Sequence, residues 1–232
     1  VGMSPSASGL VVNERSGSNS EAALRELEAS LATQGLGVAR TIEFPAQELP
    51  TRSDLEAAGV SQLIVFTGDG TLNAVIDAVS GWTGAVLVLP GGTMNLLSGR
   101  LHGEDTPCDA ILERIARGAF RPVRPAMAAC AAGRAHAGLL VGPGTAWAGV
   151  REAMRDFDVA GLAQGAGEAL AETPGGSRVR IADPAIGDQN GYPLIELTPC
   201  HRGLQVDGFL LENAAEFLQQ SFAVLRRRFR EG

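Results

Sequence analysis

Leu63-Ile64-Val65-Phe66-Thr67-Gly68-Asp69-Gly70-Thr71-Leu72-Asn73 joins an apolar run, a glycine turn holding one carboxylate, and the start of an amphipathic stretch that reaches Val79. A short apolar run closed by glycines predicts a buried strand, and the periodic residues beyond it predict a helix. The glycines let the chain reverse tightly and bring N–H groups close to an anion. The first helical turn adds unpaired donors and the positive end of the helix dipole, so the segment predicts a strand, a phosphate-binding turn and a helix. About twenty residues on, the pattern returns: Ala85-Val86-Leu87-Val88-Leu89 runs into Pro90-Gly91-Gly92-Thr93-Met94-Asn95 and a further helix. Neighbouring strands of an open α/β sheet share one crevice at their carboxyl ends, so both turns are expected to face a single polyphosphate.

Outward from this centre, strand and helix alternate. Leu10-Val11-Val12 predicts a strand and Asn13-Glu14-Arg15-Ser16-Gly17 a turn. Ser18 with Glu21 suits a capping box ahead of a helix whose Leu24, Leu27 and Leu31 share one face. Residues 38–44 alternate as a strand, residues 54–58 suit a short helix, and residues 108–117 close the region as another helix. Gly118, Pro122 and Pro125 mark a boundary. Residues 1–122 are therefore expected to form an α/β domain on a parallel sheet.

The texture then changes. Residues 126–132 and 135–141 suggest a hairpin around Gly133-Arg134, followed by helices over 147–157 and 159–170. Residues 179–182, 194–197 and 204–206 suggest short strands, and a last helix starts near Glu212. Residues 123–232 are expected to form a smaller, β-rich mixed domain, incomplete at its end.

Composition narrows the function. The chain has 232 residues, 45% of them apolar, enough to bury a sizeable core. A net charge of −7 argues against a nucleic-acid binder, which would carry a basic face. All 19 basic residues are arginine. The absence of lysine excludes a lysine Schiff base and the Gly-Lys-Ser/Thr phosphate loop, so phosphate must be held by backbone amides, arginine or metal. Cys108, Cys130 and Cys200 lack the paired spacing of a zinc or redox site and suit reduced packing residues. Together with the lack of a signal-peptide pattern or a membrane-spanning apolar run, they predict a cytoplasmic location. His102, His136 and His201 show no ligand-like spacing, and Trp82 and Trp147 suit packing roles.

The motifs Asn13-Glu14-Arg15-Ser16-Gly17, Gly68-Asp69-Gly70-Thr71-Leu72-Asn73 and Pro90-Gly91-Gly92-Thr93-Met94-Asn95 resemble those of the diacylglycerol kinase catalytic-domain family, which includes bacterial lipid kinases and sphingosine kinases. The three occur in the family's order and on the expected elements, over the first half of the chain. The resemblance implies an α/β nucleotide domain followed by a β-rich domain, with the active site in the cleft between them. It implies ATP and Mg²⁺ as cofactors and transfer of the γ-phosphoryl group to a lipid hydroxyl, most simply that of diacylglycerol. It places ATP against Asn13, Ser16, Gly17, Gly68, Gly70, Thr71, Asn73, Gly92 and Asn95, with further contacts at Thr41 and Thr93. A peripheral contact with the inner face of the membrane and a homodimer are left open.

Asp69 is the expected catalytic residue. A lone carboxylate at a phosphate turn repels phosphate unless Mg²⁺ or a proton lies between them, which makes Asp69 the candidate to hold Mg²⁺ through water. The structural alternative is a helix cap. Asn73 and Asn95 are open to ligand contact or to local capping, and Ser16 to phosphate contact or turn shaping. Thr67, Ala74 and Leu96 depart from the glycine, glutamate and acidic residue usual in the family. The family's general base is a glutamate in a late Asp-Gly-Glu; here the corresponding stretch is Asp207-Gly208-Phe209, so the base is unassigned. Two alternatives stand beside the lipid kinase: a NAD kinase-like enzyme with a soluble acceptor, and a non-catalytic nucleotide- or lipid-binding relative. The last helix carries Leu218, Phe222, Leu225 and Phe229 beside Arg226, Arg227, Arg228 and Arg230. It suits core packing, with arginines at its negative dipole end, better than a membrane surface.

Overall fold

A computed structural model describes residues 7–16, 19–92, 94–131, 133–142, 178–192 and 194–209. The chain divides into two compact units, Val1–Pro125 and Ala126–Gly232. In the first, strands β1 (Ala7–Asn13), β2 (Val38–Phe44), β3 (Val60–Thr67) and β4 (Ala85–Pro90) form a parallel sheet in the order β2-β1-β3-β4. Parallel strands need crossovers, and helices supply them: α1 (Glu21–Thr33), α2 (Arg52–Ala57) and α3 (Asp69–Ala78) lie between successive strands, with α4 (Leu96–His102) and α5 (Cys108–Ala116) after β4.

The near-continuous apolar runs of β1, β3 and β4 follow from burial on both faces of the sheet. On one face Leu10, Val12, Ile64, Phe66, Leu87 and Leu89 form a cluster with Leu27 and Leu31 of α1 and Ile111 and Leu112 of α5. Side chains alternate along a strand, so Val11, Leu63, Val65 and Val88, all at most 4% exposed, face the other way. That face is covered by α2 and α3 against β3 and by α4 against β4. Cys108 packs at the edge of the first cluster, and burial pushes its thiol up to about 12.

Local caps set the helix starts. The cap of α1 is Ser20, whose hydroxyl accepts from the Ala23 N–H at 3.2 Å. It replaces the expected Ser18–Glu21 box because Glu21 is already the first helical residue. A reciprocal box that the sequence reading missed caps α2: Thr51 accepts from the Asp54 N–H, and the Asp54 carboxylate accepts from the Thr51 N–H at 2.9 Å. The Thr51 hydroxyl, donating to Asp54 Oδ2 at 2.7 Å, and the Thr51 N–H hold the Asp54 carboxyl below its ordinary range.

The second unit is built from antiparallel pairs. β5 (Ala128–Cys130) pairs with β6 (Gly133–Ala135), so the chain reverses between Cys130 and Gly133 rather than around Gly133-Arg134. The expected second arm bends after Ala135, and its remainder, β7 (Leu139–Val141), pairs instead with β10 (Leu194–Cys200). β10 also pairs with β11 (Gly203–Phe209), giving the order β11-β10-β7. β8 (Ile181–Ala182) and β9 (Ala185–Ile186) form a small hairpin. The helices expected over 147–157 and 159–170 and after Glu212 lie outside the described residues. An α/β unit on a parallel sheet followed by antiparallel strands is the fold class that the sequence predicts.

Candidate active site

The strand order fixes where the site lies. From β1 the chain crosses through α1 to β2 on one side; from β3 it crosses through α3 to β4 on the other. β1 and β3 are adjacent, so their carboxyl ends flank the point where the winding reverses and the two outgoing helices part. Open α/β sheets bind ligands at that point. The turns after β1 and β3 are the Asn13 and Gly68 motifs.

Hydrogen bonds tie these turns together. The Asn13 Nδ2 donates to Thr71 Oγ1 at 2.8 Å, and the Gly68 N–H donates to Ser16 Oγ at 3.1 Å. Asn13 also shapes its own turn, its Oδ1 accepting from the Arg15 N–H at 2.9 Å. Beneath them lies Asn19, 5% exposed, whose Nδ2 donates to the carbonyls of Asn13 (3.0 Å) and Phe66 (2.8 Å). Both partners only accept, which fixes the orientation of the amide. Asn19 therefore clasps the ends of β1 and β3. It was not among the expected site residues, and nothing in the sequence around an asparagine before a helix cap reveals a bond to a strand 47 residues away.

The turn after β4 is pressed against the turn after β3. A Cβ on Gly92 would fall 2.5 Å from Gly68 Cα, and one on Gly91 would fall 2.5 Å from the Thr67 nitrogen. Only glycine permits this approach of two backbones. Asn95, in the left-handed region at φ 50°, closes the β4 turn on itself: its Oδ1 accepts from the Gly92 N–H at 2.8 Å and its Nδ2 donates to the Gly92 carbonyl at 2.7 Å. Asn95 thus uses one N–H and one lone pair of its amide to close its own loop.

Asp69 links the two turns. Its carboxylate accepts from the N–H groups of Leu96 (3.1 Å) and Leu97 (3.3 Å), the first two residues of α4. The cap expected as the structural alternative is present, but on α4 rather than on Asp69's own helix, and α4's donors meet this carboxylate instead of an open crevice. α3 differs. Its first intrahelical bond runs from Leu72 N to the Gly68 carbonyl, so the Gly70 and Thr71 N–H groups stand ahead of the helical ladder at the mouth of the turn.

The other expected residues are placed unequally. Asn73 lies one turn into α3, its Nδ2 3.4 Å from Asp77 Oδ2. Thr41 lies opposite Leu10 in the β1–β2 ladder, three residues short of the Asn13–Phe44 pair at the strand ends. That is about 10 Å back along the strand. It lines a recess of about 180 Å³ between α1 and β2 with Leu10, Glu28 and Leu31, and the structure does not bring it to the turns. Gly17 and Thr93 lie outside the described residues. Asp207 lies on β11 in the second unit, its carboxylate accepting from Gln205 Nε2 at 2.9 Å.

Mg²⁺ fits this site in one way. Among the described residues no cluster of three or more His, Cys, Asp or Glu side chains is placed to hold a metal. A carboxylate has about four lone-pair positions, and the α4 amides take two of those on Asp69. Mg²⁺ would therefore be held by the phosphates that bring it and by water, with Asp69 as the carboxylate at the turn, and not by a cage made by protein alone.

Two solved structures from Bacillus anthracis strain Sterne share the fold. One, a diacylglycerol kinase, superposes with a TM-score of 0.53 at 15% identity, covering 92% of this chain and 76% of its own. The other, a candidate diacylglycerol kinase, gives 0.52 at 15% identity, covering 92% of this chain and 78% of its own. No curated protein matches the chain. The sequence pattern of the diacylglycerol kinase catalytic domain matches residues 8–128, just over half the chain, spanning all three glycine-bearing turns and every element of the parallel sheet. The chain belongs to the diacylglycerol kinase catalytic-domain family.

Proposed function

We propose that this chain transfers the γ-phosphoryl group of ATP to the hydroxyl of a lipid of the diacylglycerol class. One observation carries the proposal: the turns after β1 and β3 are hydrogen-bonded together at the reversal point of a parallel sheet, with α3 opening from the second of them. Membership of a kinase family gives that phosphate site a reaction.

In this account the Gly70 and Thr71 N–H groups receive the phosphates, and Gly68 and Gly70 keep side chains out of their way. Ser16 and Asn13 hold the β1 turn at the β3 turn, and Asn19 fixes the floor beneath both. Asp69 stiffens the third turn through α4 and would hold a metal-bound water through its carboxylate. Mg²⁺, brought with ATP, neutralises charge on the phosphates. Fixed donors of this kind need no reorganisation as charge redistributes during transfer.

The test is an acceptor panel with γ-labelled ATP and Mg²⁺: dioctanoylglycerol, NAD, and no acceptor. Label in the dioctanoylglycerol alone supports the proposal. Label in NAD alone would point to a soluble-acceptor kinase, and ATP binding without transfer to either would point to a nucleotide-responsive relative.

A further inference from the structure

The four strands of the parallel sheet do not end alike. β1, β3 and β4 run into the turns described above, whereas β2 ends on Phe44, followed by a turn in which the Gln47 N–H donates to the Glu43 carbonyl at 2.8 Å. That turn, Phe44-Pro45-Ala46-Gln47, contains no glycine and so lacks the bare backbone that the other three ends present. It presents a half-buried phenyl ring instead.

Strand register fixes the face to which that ring projects. Phe44 lies opposite Asn13 in the β1–β2 ladder, and side chains opposite each other in neighbouring strands share a face of the sheet. The Asn13 amide reaches Thr71 of α3, so Phe44 projects to the face that carries α3. Ile42, opposite Val11, obeys the same alternation and is buried on that face. In the order β2-β1-β3, the end of β2 lies one strand spacing, about 5 Å, from Asn13 and two, about 10 Å, from the end of β3, where Gly70 and Thr71 offer their N–H groups.

A nucleoside triphosphate divides as this row of strand ends divides. Its phosphates need donors, its base presents a flat ring face, and a sugar joins them. An aromatic side chain holds a base by stacking, and a ring that is partly buried is anchored while part of its surface stays open to a second ring. We infer that Phe44 is the platform on which the base of ATP stacks, with the sugar over the end of β1 and the phosphates at the β3 turn. The inference rests on the phosphate site proposed above and names the subsite for the other end of the same ligand.

The test is isothermal titration calorimetry of wild type, Phe44→Ala, Phe44→Leu and Phe44→Trp with ATP and with inorganic tripolyphosphate, each with Mg²⁺. Tripolyphosphate carries the charge without the base. Phe44→Ala and Phe44→Leu should each weaken ATP binding about tenfold, within the usual contribution of a base stacked on an aromatic ring, and leave tripolyphosphate binding unchanged. Phe44→Leu retains most of the side-chain volume, so the comparison stands even where Phe44→Ala fails to fold. Phe44→Trp should keep the ATP affinity, and its added fluorescence should be quenched by ATP and not by tripolyphosphate. Unchanged ATP affinity in the alanine and leucine variants, or an equal loss for both ligands, would overturn the inference. Wild type that binds tripolyphosphate as tightly as ATP refutes the base subsite alone, whereas wild type that binds neither ligand refutes the phosphate site itself.

Discussion

Gly92→Ala probes how closely the β3 and β4 turns pack against each other. Its Cβ would lie 2.5 Å from Gly68 Cα and 3.3 Å from the Gly68 nitrogen. Carbon atoms rest at about 3.5–4.0 Å, so the β4 turn would have to withdraw by about 1 Å. Neither neighbour is a side chain that can swing aside. The same Cβ would crowd Asn95 Oδ1 at 3.4 Å and strain the paired bonds that close the loop. Overpacking of this kind costs roughly 1–3 kcal/mol, and a backbone-on-backbone contact belongs at the upper end. For a chain of this size that corresponds to a fall in Tm of roughly 6–12 °C. Gly70→Ala is the matched control: no heavy atom lies within 4 Å of its added Cβ, and the site is helical. Alanine there should stabilise by roughly 0.5–1 kcal/mol, yet raise KM for ATP by crowding the N–H groups offered to phosphate. Differential scanning calorimetry of both variants checks the pair. A Gly92→Ala protein as stable as wild type, or a Gly70→Ala protein equally damaged, would refute the assignment of these turns as a tight contact and an open mouth.

Asp69→Ala should cost roughly 3 kcal/mol by leaving two amide donors at the start of α4 without their charged acceptor, and Asp69→Asn about half of that; amide exchange at Leu96 and Leu97 reports it directly. Asn19→Asp sets a carboxylate against two carbonyl oxygens, which raises its folded pKa. The variant's deficit in Tm relative to wild type should therefore be least in acid and grow as pH rises through about 4, the unfolded value. Burial lowers the pKa of His102, whose Nε2 lies 2.9 Å from the Val88 carbonyl oxygen. The unfolded chain then binds the proton more readily, so the stability from neutral His102 is complete above about pH 6.5 and is lost as pH falls below it. His102→Gln should flatten that part of the Tm–pH curve.

The sheet was legible because its strands are short apolar runs between turn-forming residues, a signal that burial on both faces makes strong. Leu63-Ile64-Val65-Phe66 and Ala85-Val86-Leu87-Val88-Leu89 needed no partner to be recognised. The tandem glycine turns were legible for the same reason: Gly91 and Gly92 satisfy a local backbone demand. What the sequence left hidden depends on contacts between distant residues. Asp69 looks like a cap for its own helix, and only the fold shows its carboxylate on α4, across 27 residues of chain. Asn19 is another such case. Thr41 fits a family position, but strand register sets it back from the strand ends. In the second unit the strands expected over 194–197 and 204–206 fall within β10 and β11, but strands of two or three residues carry almost no period, and the β5–β6 turn is set by pairing rather than by Gly133.

The proposed role of the β3 turn is phosphoryl transfer to a lipid hydroxyl, with Asp69 at its centre. It is tested most directly by the rate of label transfer from γ-labelled ATP and Mg²⁺ to dioctanoylglycerol, comparing wild type with an Asp69→Asn protein shown by circular dichroism to be folded. Transfer by wild type and its loss in the variant is the result predicted here. Full turnover by a folded Asp69→Asn protein would contradict it, leaving Asp69 as the cap of α4 and nothing more.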